Sequence, residues 1–273
     1  MRRILFALLL TTVSLSADIT PEGVERLEEL RERFSGPTVR VQLLRGAEGA
    51  QVEVKGAYNV YDPRTGKKLD SAYLSSSYYM NPTVDGLKWG QEFPGIFQLL
   101  LVPDKNNTTV LVGGTEYRGM AYVYQIKGTL NAVNEVSIDD FVASLLSSHV
   151  SQDIADKEAL AALAIALRTE TLSWMAQGNN PYWDLKAETV GYLGSSIERR
   201  DAPFVEALKA TRGLVVKKAK SQNLVDIHWF ALGETMAPVL EMVQAAQEGK
   251  DARAILEKLL GNVQIVKIES LHS

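Results

Sequence analysis

The chain contains no cysteine, which rules out disulfides, thiolate metal sites, thiol nucleophiles and lipid attachment at a cysteine. Its stability has to come from a packed core, and 273 residues with 46% apolar composition are enough chain to build one. Histidine is nearly as scarce, with His149, His228 and His272 the whole set. A zinc site would therefore need carboxylates beside them. Basic residues are not in excess either. At a formal charge of −4 the chain lacks the field that draws nucleic acid or anionic lipid, and a neutral or cationic substrate suits it better. No internal repeat and no low-complexity segment is visible.

What is present begins with "MRRILFALLLTTVSLSADIT", a basic start at Arg2 and Arg3, an apolar run from Ile4 to Val13, and Ser14-Leu15-Ser16 ahead of Ala17. That order is the grammar of a secretory signal. The run is shorter than the ~20 residues that cross a bilayer, so residues 1–16 are expected to be a cleaved signal peptide. Cleavage leaves an exported chain with no membrane-spanning segment and takes the charge from −4 to −6.

Residues 17–36 read as a helical linker: in "PEGVERLEELRERFS", Val24, Leu27, Leu30 and Phe34 fall at helical spacing, and Pro21 suits a first turn. From Pro37 the period becomes two. "TVRVQLLRG", "AQVEVKGAYNVYD" and the short runs up to "NAVNEV" alternate apolar with polar residues between Gly, Pro and Asn turns, so 37–136 is expected to be strand-rich. At Ser137 the period turns helical. Ser137 is a suitable N-cap with Asp139 and Asp140 in the first turn, and a second helix opens near Asp156, so that 137–176 reads as a helical pair. Beyond it, 177–268 is mixed: helix then strand in "DAPFVEALKATRGLVVKKA", strand then turn in "LVDIHWFALGET", two short helices, and a final strand "VQIVKI". The fold class is α+β, with a strand-rich N-terminal half followed by a helical pair and a mixed α/β C-terminal part.

Several of these strings, taken in order, resemble one family. "VNEVSIDDFVASLLSSHVSQDI" followed by "EALAALAIALRTETL" is similar to the VNEVPLEDYLxGVVPSEMP and EALKAQAVAARTYAL segments of the SpoIID/LytB family. Upstream, "YRGMAYVYQIKGTLNAVNEV" resembles the family's YRG start of strand; downstream, "ALKATRGLVV" resembles AVxATxGxVL, "IHWFALGET" stands in the place of FHSTxGGxT, and "VLEMVQAAQEGKDARAILEKLLGNVQI" resembles the segment around MSQxGA. The matches run from about Tyr117 to Ile268, and residues 37–268 are identified as a SpoIID/LytB-like domain.

The resemblance implies a cell-envelope or periplasmic protein whose partner is the glycan strand of peptidoglycan, with no cofactor. Family members include lytic transglycosylases and proteins that enhance N-acetylmuramoyl-L-alanine amidases. A transglycosylase must protonate the glycosidic oxygen and then accept a proton from the attacking 6-hydroxyl, work that one carboxyl of raised pKa can do. The family's glutamate for that task lies in PSEM, where this chain reads SSHV and places His149. Three readings follow: His149 is a helix-end residue of an inactive glycan-binding or amidase-recruiting scaffold, it retains an acid role of its own, or the carboxylate has moved nearby, to Asp153 or Glu158.

The remaining site residues implied by the resemblance are Arg168, in "ALRTET", as a second catalytic position, and His228, Trp229, Gly233 and Thr235 as substrate-binding positions. Arg168 suits either a cluster of sugar hydroxyls or a buried pairing with Asp139, Asp140 or Glu135. Trp229 suits stacking on a sugar ring or a place in the core. Ala161 and Leu163 stand where the family has Lys and Gln, which makes one edge of the implied groove apolar. His149 and Arg168 are expected to open onto one concavity.

Overall fold

The computed structural model describes residues 19–34, 36–105, 108–221, 223–229 and 236–271; the expected leader, 1–16, lies outside them. Thr20 caps the first helix, α1 (Pro21–Arg31), through the backbone N–H of Gly23. Period-two patterning then produces β1 (Thr38–Ala47), β2 (Ala50–Lys55), β3 (Tyr58–Tyr61), β4 (Lys68–Ala72), β5 (Ser76–Thr83) and β6 (Gly86–Trp89). It continues through β7 (Gln91–Pro94), β8 (Gln98–Pro103), β9 (Thr109–Val112), β10 (Thr115–Tyr117), β11 (Met120–Ile126) and β12 (Thr129–Ser137). The helical pair is α2 (Ile138–His149) and α3 (Lys157–Gln177). After it come β13 (Leu185–Lys186), α4 (Ala187–Val190), α5 (Ala202–Ala210), β14 (Leu214–Lys218), α6 (Met236–Gln247), α7 (Ala252–Leu260) and β15 (Val263–Lys267). The α+β class read from the sequence is the class observed.

Strands β13-β1-β12-β11-β8-β3-β4 form one sheet, β10-β9-β2-β5-β6-β7 a second, and β14 pairs with β15 in a third. In the first sheet successive residues point to opposite faces, so β8 gives Leu99 and Leu101 to the main core and Leu100 and Val102 to a smaller cluster on the other face. That second face is covered by α1. Leu27 and Leu30 pack there against Met120, Tyr122, Tyr124 and Val133, and Arg31 reaches the buried Glu135 of β12 at 2.6 Å. The segment read as a helical linker is therefore bonded into the sheet. Glu135 also accepts from the hydroxyls of Thr38 and Tyr122, at 2.7 Å each. Arg31, the strongest opposing influence to burial, holds its carboxyl below the usual range.

Gly119, the glycine of the YRG string, has φ +84°, and a Cβ there would lie 2.2 Å from the carbonyl oxygen of Glu135. Only glycine allows β11 to approach β12 so closely at that turn. The central helix α3 runs through the main core: Ala159 to Thr171 are all buried, and its alanines let it contact α2, α5, α6, α7 and β14. Ala161 and Leu163 are among those core residues. No described helix is long and apolar enough to cross a membrane.

One expected element is not observed in its described part. Leu224 makes a single bridge to Lys217, and residues 225–229 form no strand. Val225 and Ile227 are buried while Asp226 and His228 are exposed, so the alternation that suggested a strand is real. It arises from a segment laid on the core whose Val225 N–H donates to the Val216 carbonyl at 3.1 Å but which joins no longer ladder among the described residues.

Candidate functional site

The first turn of α2 is where charge gathers. Ser137 accepts from the Asp140 backbone N–H at 3.1 Å and donates its hydroxyl to the Asp140 carboxylate at 2.6 Å, which fixes the helix start. Asp139, beside it, receives Arg168 Nε at 2.8 Å and Arg212 Nε at 3.3 Å. Arg168 Nη2 lies 2.7 Å from the same oxygen of Asp139, an ion pair without hydrogen-bond alignment. Arg168 is almost wholly buried, and its Nη1 donates to the carbonyl of Leu214 at 3.0 Å. Of the partners open to it in the sequence, Arg168 takes Asp139, and it ties α3 to α2 and β14.

Two adjoining pockets share Asp139 and Arg212 as a common wall. One, of about 390 Å³, is lined among others by Arg118, Asp140, Glu198, Lys209, Phe204 and Leu208. The other, of about 250 Å³, is bounded by Pro37, Ile138, Gly213, Lys267 and Glu269. Both lie at the N-terminal end of α2, and the larger is a groove with charged residues on its α2 side and the apolar Phe204 and Leu208 on its α5 side. In the larger pocket Arg118 Nη1 contacts Glu198 at 2.6 Å and Asp140 at 3.3 Å.

Glu198 rides on a segment that is held from both sides. Ser195 donates its backbone N–H to the Glu116 carbonyl at 2.8 Å. Arg199, its side chain 3% exposed, donates to the carbonyls of Ser151 and Ile154, pairs with Asp201, and lies over the Phe204 ring at 5.1 Å. The Glu198 side chain is only 9% exposed. Burial, with Asp140 adding and Arg118 opposing, pushes its carboxyl up to about 7.

The residues singled out in the sequence are dispersed. His149 ends α2, where its Nε2 donates to the carbonyl of Val190 at 2.8 Å beside Gly191. Asp139 and His149 are ten residues apart on one helix, so at about 1.5 Å per residue the Arg168 contact and His149 are separated by roughly 15 Å. Of these two pockets, Arg168 lines the larger and His149 lines neither. Asp153 is exposed in a local turn with Ser151. Glu158 accepts the Ala252 N–H at 2.9 Å and so caps α7. His228 is exposed, 3.0 Å from Asp226. Trp229 donates its backbone N–H to the buried Glu170 at 3.1 Å, and its ring packs on the core. Gly233 and Thr235 lie outside the described residues. Among those residues no group of three His, Asp or Glu side chains is placed to hold a metal ion.

Comparison with known proteins matches part of this groove. The family model described as SpoIID, stage II sporulation protein, matches residues 126–217, a span that contains Asp139, Asp140, Arg168, Glu198 and Arg212. An uncharacterized protein of Chlamydia pneumoniae is 32% identical over 236 residues, 86% of this chain and 83% of that one. An uncharacterized protein of Chlamydia muridarum is 30% identical over 239 residues, covering 87% and 80% of the two chains. A third, from Brachyspira hyodysenteriae, is 28% identical over 175 residues, 64% of this chain and 46% of that one. No solved structure matches the chain.

Proposed function

This chain belongs to the SpoIID family, a family linked to the cell wall, and on that premise we propose that it is an exported cell-envelope protein that takes peptidoglycan glycan strands into the groove over the first turn of α2. The observation that carries this reading is the groove itself. It adjoins a second pocket across Asp139 and Arg212, and it combines what a sugar chain requires. Asp139, Asp140, Arg118 and Arg212 offer carboxylates and guanidinium groups to hydroxyls and acetamido groups, while Phe204 and Leu208 supply an apolar wall for ring faces. The action on the strand is lytic transglycosylase-like cleavage.

A second reading, a non-catalytic scaffold that holds strands or recruits an N-acetylmuramoyl-L-alanine amidase, is favoured by one observation. His149, which stands at the family's glutamate position, is bonded to the Val190 carbonyl and does not face the groove.

Both readings are tested by incubating the chain lacking residues 1–16 with glycan strands stripped of stem peptides and with intact peptidoglycan. Sedimentation measures binding, and mass analysis detects 1,6-anhydro ends. Binding with new anhydro ends supports cleavage, binding without them supports the scaffold, and no binding to either material removes the glycan reading.

A further inference from the structure

We propose that Glu198 is the proton-transferring carboxyl of this glycan site, taking the place that His149 leaves without a carboxylate. The inference deepens the cleavage reading above and rests on it. Its ground is geometric. Among the carboxylates considered for the task, Asp153 is engaged in an exposed turn and Glu158 caps α7. Glu198 alone of these three lines the groove, at 9% side-chain exposure, on a segment fixed by Ser195 and Arg199.

A second carboxylate stands beside it. Asp140 and Glu198 touch one nitrogen of Arg118 at 3.3 and 2.6 Å. Those two contacts hold the touching oxygens within roughly 6 Å of each other, so the two carboxyls stand side by side at one guanidinium.

The charged and titratable groups that face Glu198 are Arg118 from the turn before β11, Asp140 from α2 and Arg200 from its own segment, with the Tyr192 hydroxyl behind it. Arg168 from α3, Lys209 from α5 and Arg212 from the turn after it complete the wall. With its carboxyl up at about 7, Glu198 is divided between acid and base near neutrality, as a group that must do both jobs requires.

Protonated Glu198 gives its proton to the glycosidic oxygen as the bond from C1 to that oxygen breaks, and the bonding pair leaves with the departing 4-hydroxyl. Asp140 offers negative charge to the developing cation. The 6-hydroxyl of the same sugar then bonds to C1 and returns its proton to the Glu198 carboxylate. The 1,6-anhydro ring closes, no water is consumed, and Glu198 ends protonated as it began.

The test compares the wild-type chain lacking residues 1–16 with Glu198→Gln on glycan strands freed of stem peptides, measuring both sedimentation and 1,6-anhydro ends between pH 5 and 9. We expect both proteins to bind, wild-type cleavage to fall about tenfold per pH unit above about 7 as the acid form is lost, and Glu198→Gln to cleave at least about 100-fold more slowly. The wild-type pH profile stands without the variant, so a poorly folded Glu198→Gln does not rescue the assignment. A flat profile, cleavage by Glu198→Gln within twofold of wild type, or binding with no anhydro ends at any pH overturns Glu198 while strand binding stands. Absence of binding by the wild type overturns the glycan reading and the assignment together.

Discussion

His149 donates from Nε2 to the carbonyl oxygen of Val190 at 2.8 Å. His149 thus pins the α4 turn to the end of α2. His149→Ala is expected to destabilise the fold by about 1–3 kcal/mol, because the Val190 carbonyl loses its donor, and to leave any glycan cleavage within about twofold. His149→Glu is expected to be worse, since an ionised carboxylate would face that carbonyl, acceptor against acceptor. Chemical denaturation of the variants checks the order. A His149→Glu protein as stable as wild type would show that the contact matters little.

Arg168 is expected to behave as a positioning residue. Removing it leaves Asp139 with Arg212 and deprives the Leu214 carbonyl of its donor, so Arg168→Ala should lose about 3–5 kcal/mol. Arg168→Lys should recover less than half of that, because one ammonium replaces a fork that meets two acceptors. The midpoint of urea unfolding measures both. Wild-type stability in Arg168→Ala would remove the link from α3 through Asp139 to the groove floor.

Glu135 anchors α1. Its carboxylate is bonded by Arg31, Thr38 and Tyr122, and its pKa is lowered, so this stabilisation is present above the unfolded value of about 4.3 and is lost as pH falls through the lower folded value. Glu135→Gln should weaken the Arg31 contact and speed amide exchange across Pro21–Arg31 near pH 7, with little change in exchange elsewhere. Unchanged exchange in that helix would show that its leucines alone hold it.

Much of this architecture could be read ahead of the structure, and the limits have physical causes. Caps are local, so Ser137 and Asp156 announce α2 and α3 within three residues of their bonds. Alternation likewise located the sheet region, yet from Leu224 it gave a strand where only an extended segment exists, because alternation reports one buried face and says nothing of hydrogen-bond partners. The groove was not legible. "SSIERRD" has no periodicity; only folding brings Glu198 against Arg118, 80 positions earlier, and Asp140. The mixed signs packed into "ERRD" were the one available hint. Arg168, by contrast, was paired in advance with the correct short set of carboxylates, since a buried guanidinium must find one.

The raised pKa of Glu198 makes a separate prediction for stability. The folded protein holds this proton at pH values where the unfolded chain has released it, so the contribution of Glu198 is most favourable below the unfolded value of about 4.3 and declines as pH rises toward about 7. Glu198→Gln lacks that decline. Relative to wild type it should gain on the order of 1 kcal/mol between pH 5 and pH 8, reduced from the full shift by partial solvent access. Parallel unfolding curves for the two proteins across that range would contradict it.

Where a glycan strand sits on the protein is tested most directly by hydrogen exchange measured with and without strands freed of stem peptides. Slowed exchange concentrated in residues 137–143 and 195–213, around Asp139, Arg118 and Arg212, is the predicted result. Protection confined to the β4–β7 region, or no protection at strand concentrations that saturate sedimentation, would contradict the assignment of the groove.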